Sequence, residues 1–204
     1  MPGEQQPGGS AATLIRVEVQ RADVLDAEAS AILLTIDGAG PGMEGNVARA
    51  FRNRFPAVWE DLKDDISYPL PLGKAIRIGI NKDASCPFRS AIIVSTLHHR
   101  EVLADRDKLQ IAALALGHAL SLCGQHQLAS LAAPLLKGGW RISAVDAFDT
   151  MLRVAQRWSG QIGTPLYLSL CVREEQEFES LEERYRAHRG SRDSAAAALE
   201  VFFR

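Results

Sequence analysis

Two glycine-bearing loops hold the residues of this sequence best suited to gripping a charged ligand. The first runs Asp37-Gly38-Ala39-Gly40-Pro41-Gly42-Met43-Glu44-Gly45, between an apolar run and an amphipathic one. Glycines let backbone N–H groups approach an anion without side-chain obstruction, and a following helix N-terminus adds partial positive charge. That is the chemistry of a phosphate or pyrophosphate cradle, although a tight turn with no ligand uses the same residues. The second loop, Lys137-Gly138-Gly139-Trp140-Arg141, again joins an apolar run to an amphipathic one. Lys137 and Arg141 could add charge there and Trp140 a stacking or covering surface. The alternative is that Trp140 caps the core and the two cations are solvated.

Other chemistry finds less support. His98 and His99 are neighbours at the end of an apolar run, where successive side chains point to opposite faces. His118 and His126 miss the i, i+4 spacing of a helical metal pair. No metal and no cofactor are expected. Ser95, Ser130 and Ser143 lack a G-x-S-x-G setting. Cys123 and Cys171 sit in apolar runs, as inert core thiols do.

For two such loops to face one ligand, each needs a strand before it and a helix after it. Before the first loop, AILLTI (Ala31 to Ile36) is apolar throughout, like a strand buried on both faces. After it, NVARAFRNRF and PAVWEDLKDD read as helical pieces broken at Pro56. LASLAAPLL gives the strand before the second loop, and SAVDAFDTMLRVAQRW the amphipathic helix after it, with Val145, Phe148, Leu152 and Ala155 along one face. Ile15, Val17 and Val19 alternate with Arg16 and Glu18, which predicts a half-exposed strand at a sheet edge. KAIRIGI alternates too, SAIIVSTL reads as a further buried strand, and Asp105 to Cys123 as a deeply packed helix. PLYLSLCV closes the strands, and EEQEFESLEERYRAH is a last helix with Phe178, Leu181 and Tyr185 inward.

Alternating strands and helices predict an α/β fold of three layers, α/β/α, around a mixed, largely parallel sheet. Ligands of such sheets sit at the carboxyl ends of the strands, which is where both loops fall. One domain is expected over residues 13–187, after a disordered tail of residues 1–12 rich in Gly, Pro and Gln. Residues 188–204 are expected to form a C-terminal tail with a short helix ending in Val201, Phe202 and Phe203. Exposed phenylalanines would be a liability, so this tail is expected to dock on its own domain or on a partner, a second copy included.

Of the 204 residues, 47% are hydrophobic and 24% charged, an ordinary globular balance. The net charge of -2 gives no global pull toward nucleic acid or anionic membrane. No apolar run approaches the roughly 18 residues that would span a bilayer. Three widely spaced cysteines suggest a reducing compartment, and with no signal-like start the expected location is the cytoplasm.

In order and content these segments resemble the macro domain family. ASAILLTID followed by GPGMEGNVARAF is similar to the family's D-A-I-V-N-A-A-N preceding G-G-G-V-D-G-A-I-H-R-A, with Ser30 to Asp37 covering the first stretch and Gly42 to Ala50 the second. Asp23, in QRADVLD beside Val24, stands where the family has the Asp of G-D-I. APLLKGGW resembles P-A-I-S-T-G, with Gly139 on its glycine, and LGKAIRIGI resembles G-E-A-V-x-T. The resemblance runs from about Ile15 to Tyr185.

It implies a site for ADP-ribose, free or attached to protein. Asp23 would hold the adenine amino group, with Val24 beside it. Gly40, Gly42, Met43, Glu44 and Gly45 would face Lys137, Gly138, Gly139, Trp140 and Arg141 across the ligand. The departures bear on chemistry. The two asparagines of N-A-A-N are Leu34 and Asp37 here, and Asp37 can accept from a ribose hydroxyl but cannot donate as an amide does. The family's catalytic Asp position carries Glu44, whose carboxylate could activate water at the ribose anomeric carbon or could merely favour the helix N-terminus. Lys137-Gly138 replace a Ser-Thr pair, and Arg141 replaces the aromatic that covers the distal ribose. Three readings follow: a reader of ADP-ribose, a hydrolase of ADP-ribosylated protein or of O-acetyl-ADP-ribose, and an interaction module whose pocket is lost. The reader is the expected one.

Overall fold

The computed structural model describes residues 15–42, 44–81, 85–99, 101–137, 142–189 and 199–204. Two strands, β1 (Ile15–Gln20) and β2 (Ala31–Asp37), precede two short helices, α1 (Asn46–Arg54) and α2 (Pro56–Asp64). Then come β3 (Ala75–Gly79), β4 (Ser90–Leu97), α3 (Asp105–Gln125), β5 (Ser130–Pro134), α4 (Ala144–Ser159), β6 (Leu166–Cys171), α5 (Glu175–Arg189) and β7 (Glu200–Phe203). The seven strands make one sheet in the order β3-β4-β2-β5-β6-β1-β7. Every neighbouring pair is parallel except β3 with β4. This is the expected mixed, largely parallel sheet.

β2 is apolar without interruption because both its faces are covered. Ala31 and Leu33 join a core built with α3, α4 and α5, while Ile32, Leu34 and Ile36 join one built with α1 and α2. The chain thus has three layers, α/β/α. The break between α1 and α2 falls at Phe55, after which Pro56 begins α2 at a position where its missing N–H is not needed. α4 starts at Ser143, whose hydroxyl accepts the Asp146 N–H at 3.0 Å, and buries Phe148, Met151 and Ala155 on one face. No helix among the described residues is long and apolar enough to cross a membrane.

Two expectations at the far side of the sheet are corrected. β1 is not an edge strand: it lies between β6 and β7. Arg16 and Glu18 still point to the polar side, where they pair with Glu200 and Arg204 across the strands. The second concerns the C-terminal segment. Residues 1–14 and 190–198, which hold the expected N-terminal tail and the Ala-rich stretch, lie outside the described residues. Glu200–Phe203, expected to end a short helix, instead form a strand parallel to β1. The alternation Val201-Phe202-Phe203 fits this: Val201 is buried and Phe203 packs inward, while Phe202 is 55% exposed. The Phe203 ring lies 5.7 Å from the Phe178 and Tyr185 rings and 6.0 Å from Phe148, so it docks within its own domain.

Candidate functional site

The carboxyl ends of β4, β2, β5 and β6 stand side by side and open onto a cleft of about 590 Å³. Parallel strands bring the loops that follow them to one edge, and this cleft is the space those loops leave. Among the described residues it is lined by Asp23, Val24, Asp37, Gly42, Glu44, Gly45 and Lys137 of the expected site. Gly40 is not part of the lining. Met43, Gly138, Gly139, Trp140 and Arg141 lie outside the described residues.

Asp23 marks the β6 end. It caps a single turn of 3-10 helix, Val24–Asp26, with Oδ1 accepting the Leu25 N–H at 3.0 Å. Its other oxygen lies 3.7 Å from Arg173 Nε, just beyond β6. Beside it Cys171 forms part of the wall. Burial, and then the Asp23 and Glu18 charges, push this thiol up to about 12, so it presents a neutral S–H to the cleft.

The first loop is held from inside. Asp37 is buried: Oδ1 accepts the Ala39 N–H at 2.9 Å, and Oδ2 accepts the His99 N–H at 2.9 Å and His99 Nδ1 at 3.0 Å. A carboxylate only accepts, so the proton on this bond sits on His99 Nδ1. Gly38 donates its N–H to Leu97 O at 2.8 Å, and a Cβ there would lie 2.1 Å from both Leu70 O and Ser95 Oγ. Gly45 likewise donates to Thr35 O at 3.0 Å, with Thr35 Oγ1 only 2.3 Å from an added Cβ. These two glycines serve the close approach of protein to protein. Gly40 and Gly42 instead face open space, and Gly42 has φ +84°, where a side chain is strained. Of the loop's glycines, then, Gly42 alone is both open and on the cleft.

Glu44 follows, its side chain only 10% exposed, with Oε1 accepting from Arg52 Nη1 at 2.9 Å. Both first-loop carboxylates therefore have protein partners. Tyr68 lies near them: its hydroxyl pKa is raised by burial, then by the Glu44 and Asp37 charges. On the other side of the cleft Lys137 pairs with Glu177 in the first turn of α5.

Several wall residues lie outside the expected set. Thr35 and Thr96 bring buried hydroxyl-bearing side chains from β2 and β4, Arg49 comes from α1, and Arg173 and Glu174 from the link between β6 and α5. The carboxyl-end rule, applied to SAIIVSTL and PLYLSLCV as it was to the glycine-bearing strands, would have found Thr96, Arg173 and Glu174. Among the described residues no three His, Cys, Asp or Glu side chains cluster as a metal site would.

No family model matches the chain, and no curated protein does. Solved structures do. A variant of the Oceanobacillus iheyensis macrodomain matches with a TM-score of 0.68 at 16% identity, over 85% of this chain and 93% of that one. A Trypanosoma brucei macrodomain matches with a TM-score of 0.63 at 16% identity, over 88% of this chain and 70% of that one. A further Oceanobacillus iheyensis macrodomain variant, solved with ADPR, matches with a TM-score of 0.64 at 16% identity, over 84% of this chain and 92% of that one. At such low identity the likeness speaks to the fold, and the fold of this chain is that of the macro domain.

Proposed function

We propose that the cleft binds ADP-ribose, free or attached to a protein, as a reader that does not turn it over. One observation carries this: a continuous cleft crosses the ends of four adjacent strands, with Asp23 at one end and the Asp37–Gly45 loop toward the other. Three inter-strand spacings make that roughly 14 Å, room for an extended, two-ended ligand. Asp23 uses one oxygen as a cap, and the other, loosely paired with Arg173 Nε at 3.7 Å, would accept from an amino group as well. Gly42 leaves the loop open where a diphosphate would pass. The like-folded Oceanobacillus iheyensis macrodomain solved with ADPR supports the same ligand class.

Binding without turnover is favoured over hydrolysis by the state of the carboxylates. Asp37 is buried and accepts from three donors that engage both of its oxygens, and Glu44, only 10% exposed, turns one oxygen to Arg52. A general base needs a lone pair aimed at the attacking water, and in this arrangement both carboxylates are directed first at protein donors. Cys123 and Cys171, both buried and not in disulfides, suit a reducing compartment, and we place the protein in the cytoplasm.

Titration calorimetry with ADP-ribose tests the reading. Wild type should bind, and Asp23→Ala should weaken binding by about 1–3 kcal/mol through the lost charge-assisted hydrogen bond. Absence of binding by the wild-type protein would overturn it.

A further inference from the structure

The cleft is lined by charges of both signs, and most are already matched. Lys137 holds Glu177, and Arg173 lies 3.7 Å from Asp23. Glu44 is engaged by Arg52, and Asp37 by Ala39 and His99. Among the described residues that line the cleft, Arg49 is the cation left without a carboxylate partner. Its guanidinium makes one polar contact, from Nη2 to the Glu44 carbonyl oxygen at 3.5 Å, the limit of hydrogen-bond range.

That contact fixes where the charge sits. Arg49 belongs to the first turns of α1, and its side chain turns back to the Glu44 carbonyl, on the cleft that Gly42 also lines. An anion that recruited Lys137 would strip Glu177 of its partner, and one that recruited Arg173 would strip Asp23. Either exchange sets a new ion pair against a broken one. Recruiting Arg49 breaks no ion pair, and its planar fork can take two phosphate oxygens together.

We propose that Arg49 is the phosphate-binding side chain of this cleft, the group that makes it select ligands with a diphosphate over uncharged nucleosides. The assignment rests on the ADP-ribose reading and deepens it. Arg49 is exposed, so its contribution is a screened, charge-assisted interaction worth about ten-fold in affinity at low salt, falling as salt rises.

The test uses the full chain as wild type, Arg49→Gln, Arg49→Lys and Asp23→Ala, titrated at low salt with ADP-ribose, inorganic pyrophosphate and adenosine. Arg49→Gln should weaken ADP-ribose and pyrophosphate about ten-fold and leave adenosine unchanged. Arg49→Lys should recover part of the loss, and the salt dependence of ADP-ribose binding should become shallower in Arg49→Gln. Asp23→Ala should show the reverse pattern, weakening adenosine and sparing pyrophosphate. ADP-ribose bound equally well by wild type and Arg49→Gln overturns the Arg49 assignment and leaves the cleft reading standing. Pyrophosphate binding that depends on Arg49, with no ADP-ribose binding, keeps the assignment and removes the reading. Wild type that binds neither anion overturns both.

Discussion

His99 grips one oxygen of Asp37 twice, with its backbone N–H at 2.9 Å and its ring Nδ1 at 3.0 Å, while the other oxygen takes the Ala39 N–H. This ties the end of β2 to the segment after β4 and sets the start of the loop that borders the cleft. Asp37 is thus a buried acceptor whose loss leaves three donors to find other partners.

Asp37→Ala should lower unfolding free energy by about 2–4 kcal/mol, since hydrogen bonds to a charged group contribute about 1.5–3 kcal/mol each and are not additive. Urea denaturation measures it. A variant as stable as wild type would mean that the His99 contacts contribute nothing.

Glu44 separates binding from chemistry. Glu44→Gln should keep ADP-ribose affinity within a few-fold of wild type, because the side chain faces Arg52. Wild type should release no ADP-ribose from modified protein. Release by wild type that Glu44→Gln abolishes would reinstate Glu44 as a general base, an effect of about 10²–10⁴-fold.

The loop glycines should differ sharply. Gly38→Ala places a methyl group against Leu70 O and Ser95 Oγ and should destabilise by about 1–3 kcal/mol, the usual cost of overpacking. Gly40→Ala meets no atom within 4 Å and should stay within about 0.5 kcal/mol of wild type. Thermal melts of the two variants side by side decide the point.

His98 predicts a pH dependence. Its Nδ1 faces Glu101 Oε1 and its Nε2 faces Leu70 O, each at 2.9 Å. Both partners are acceptors, so only the imidazolium can donate to both. Burial pushes the pKa down, but the Leu70 carbonyl, followed by Glu101 and Asp37, raises it above the usual 6.5 on balance. A raised folded pKa gives stability that is complete below 6.5 and lost as pH rises through the folded value. The melting temperature should therefore fall as pH rises above 6.5 through the raised folded pKa, and the fall should be smaller in His98→Gln.

Adjacent phenylalanines of β7 should behave oppositely. Phe203→Ala empties a ring from the Phe148, Phe178 and Tyr185 cluster and should cost about 2–3 kcal/mol. Phe202→Ala, more than half exposed, should be close to neutral. Light scattering of Phe202→Ala adds a check on association: a change in mass would assign this ring to an interface.

The central sheet was legible in the sequence because burial on both faces writes an unbroken apolar run, as in β2 and β4. The glycine types of the first loop were legible too, but not their reasons. Gly38 and Gly45 answer to Leu70, Ser95 and Thr35, neighbours that only the folded chain supplies. Arg173 and Glu177 escaped notice because an isolated charge on a helix or in a link carries no period and no motif. Arg49 falls on the arginine of the stretch that resembles G-V-D-G-A-I-H-R-A, but a charge on an amphipathic helix reads as a solvated face. β7 escaped because four residues after an Ala-rich stretch carry too little alternation to distinguish strand from helix end. Its partner, β1, is at the other end of the chain.

That pairing has a consequence for how the protein is made. Val17 sits opposite Leu168 on one side and Val201 on the other, partners more than about 150 residues downstream. Contacts so remote in sequence close slowly, because the intervening loop must be ordered first. β1, made well before either of its partners, is thus among the last of these strands to find a place, with Ile15, Val17 and Val19 uncovered in the interim. Pulse-labelled hydrogen exchange during refolding should find the β4-β2 ladder protected before β1. A chain halted after α4 would keep that apolar edge open to whatever strand it met first.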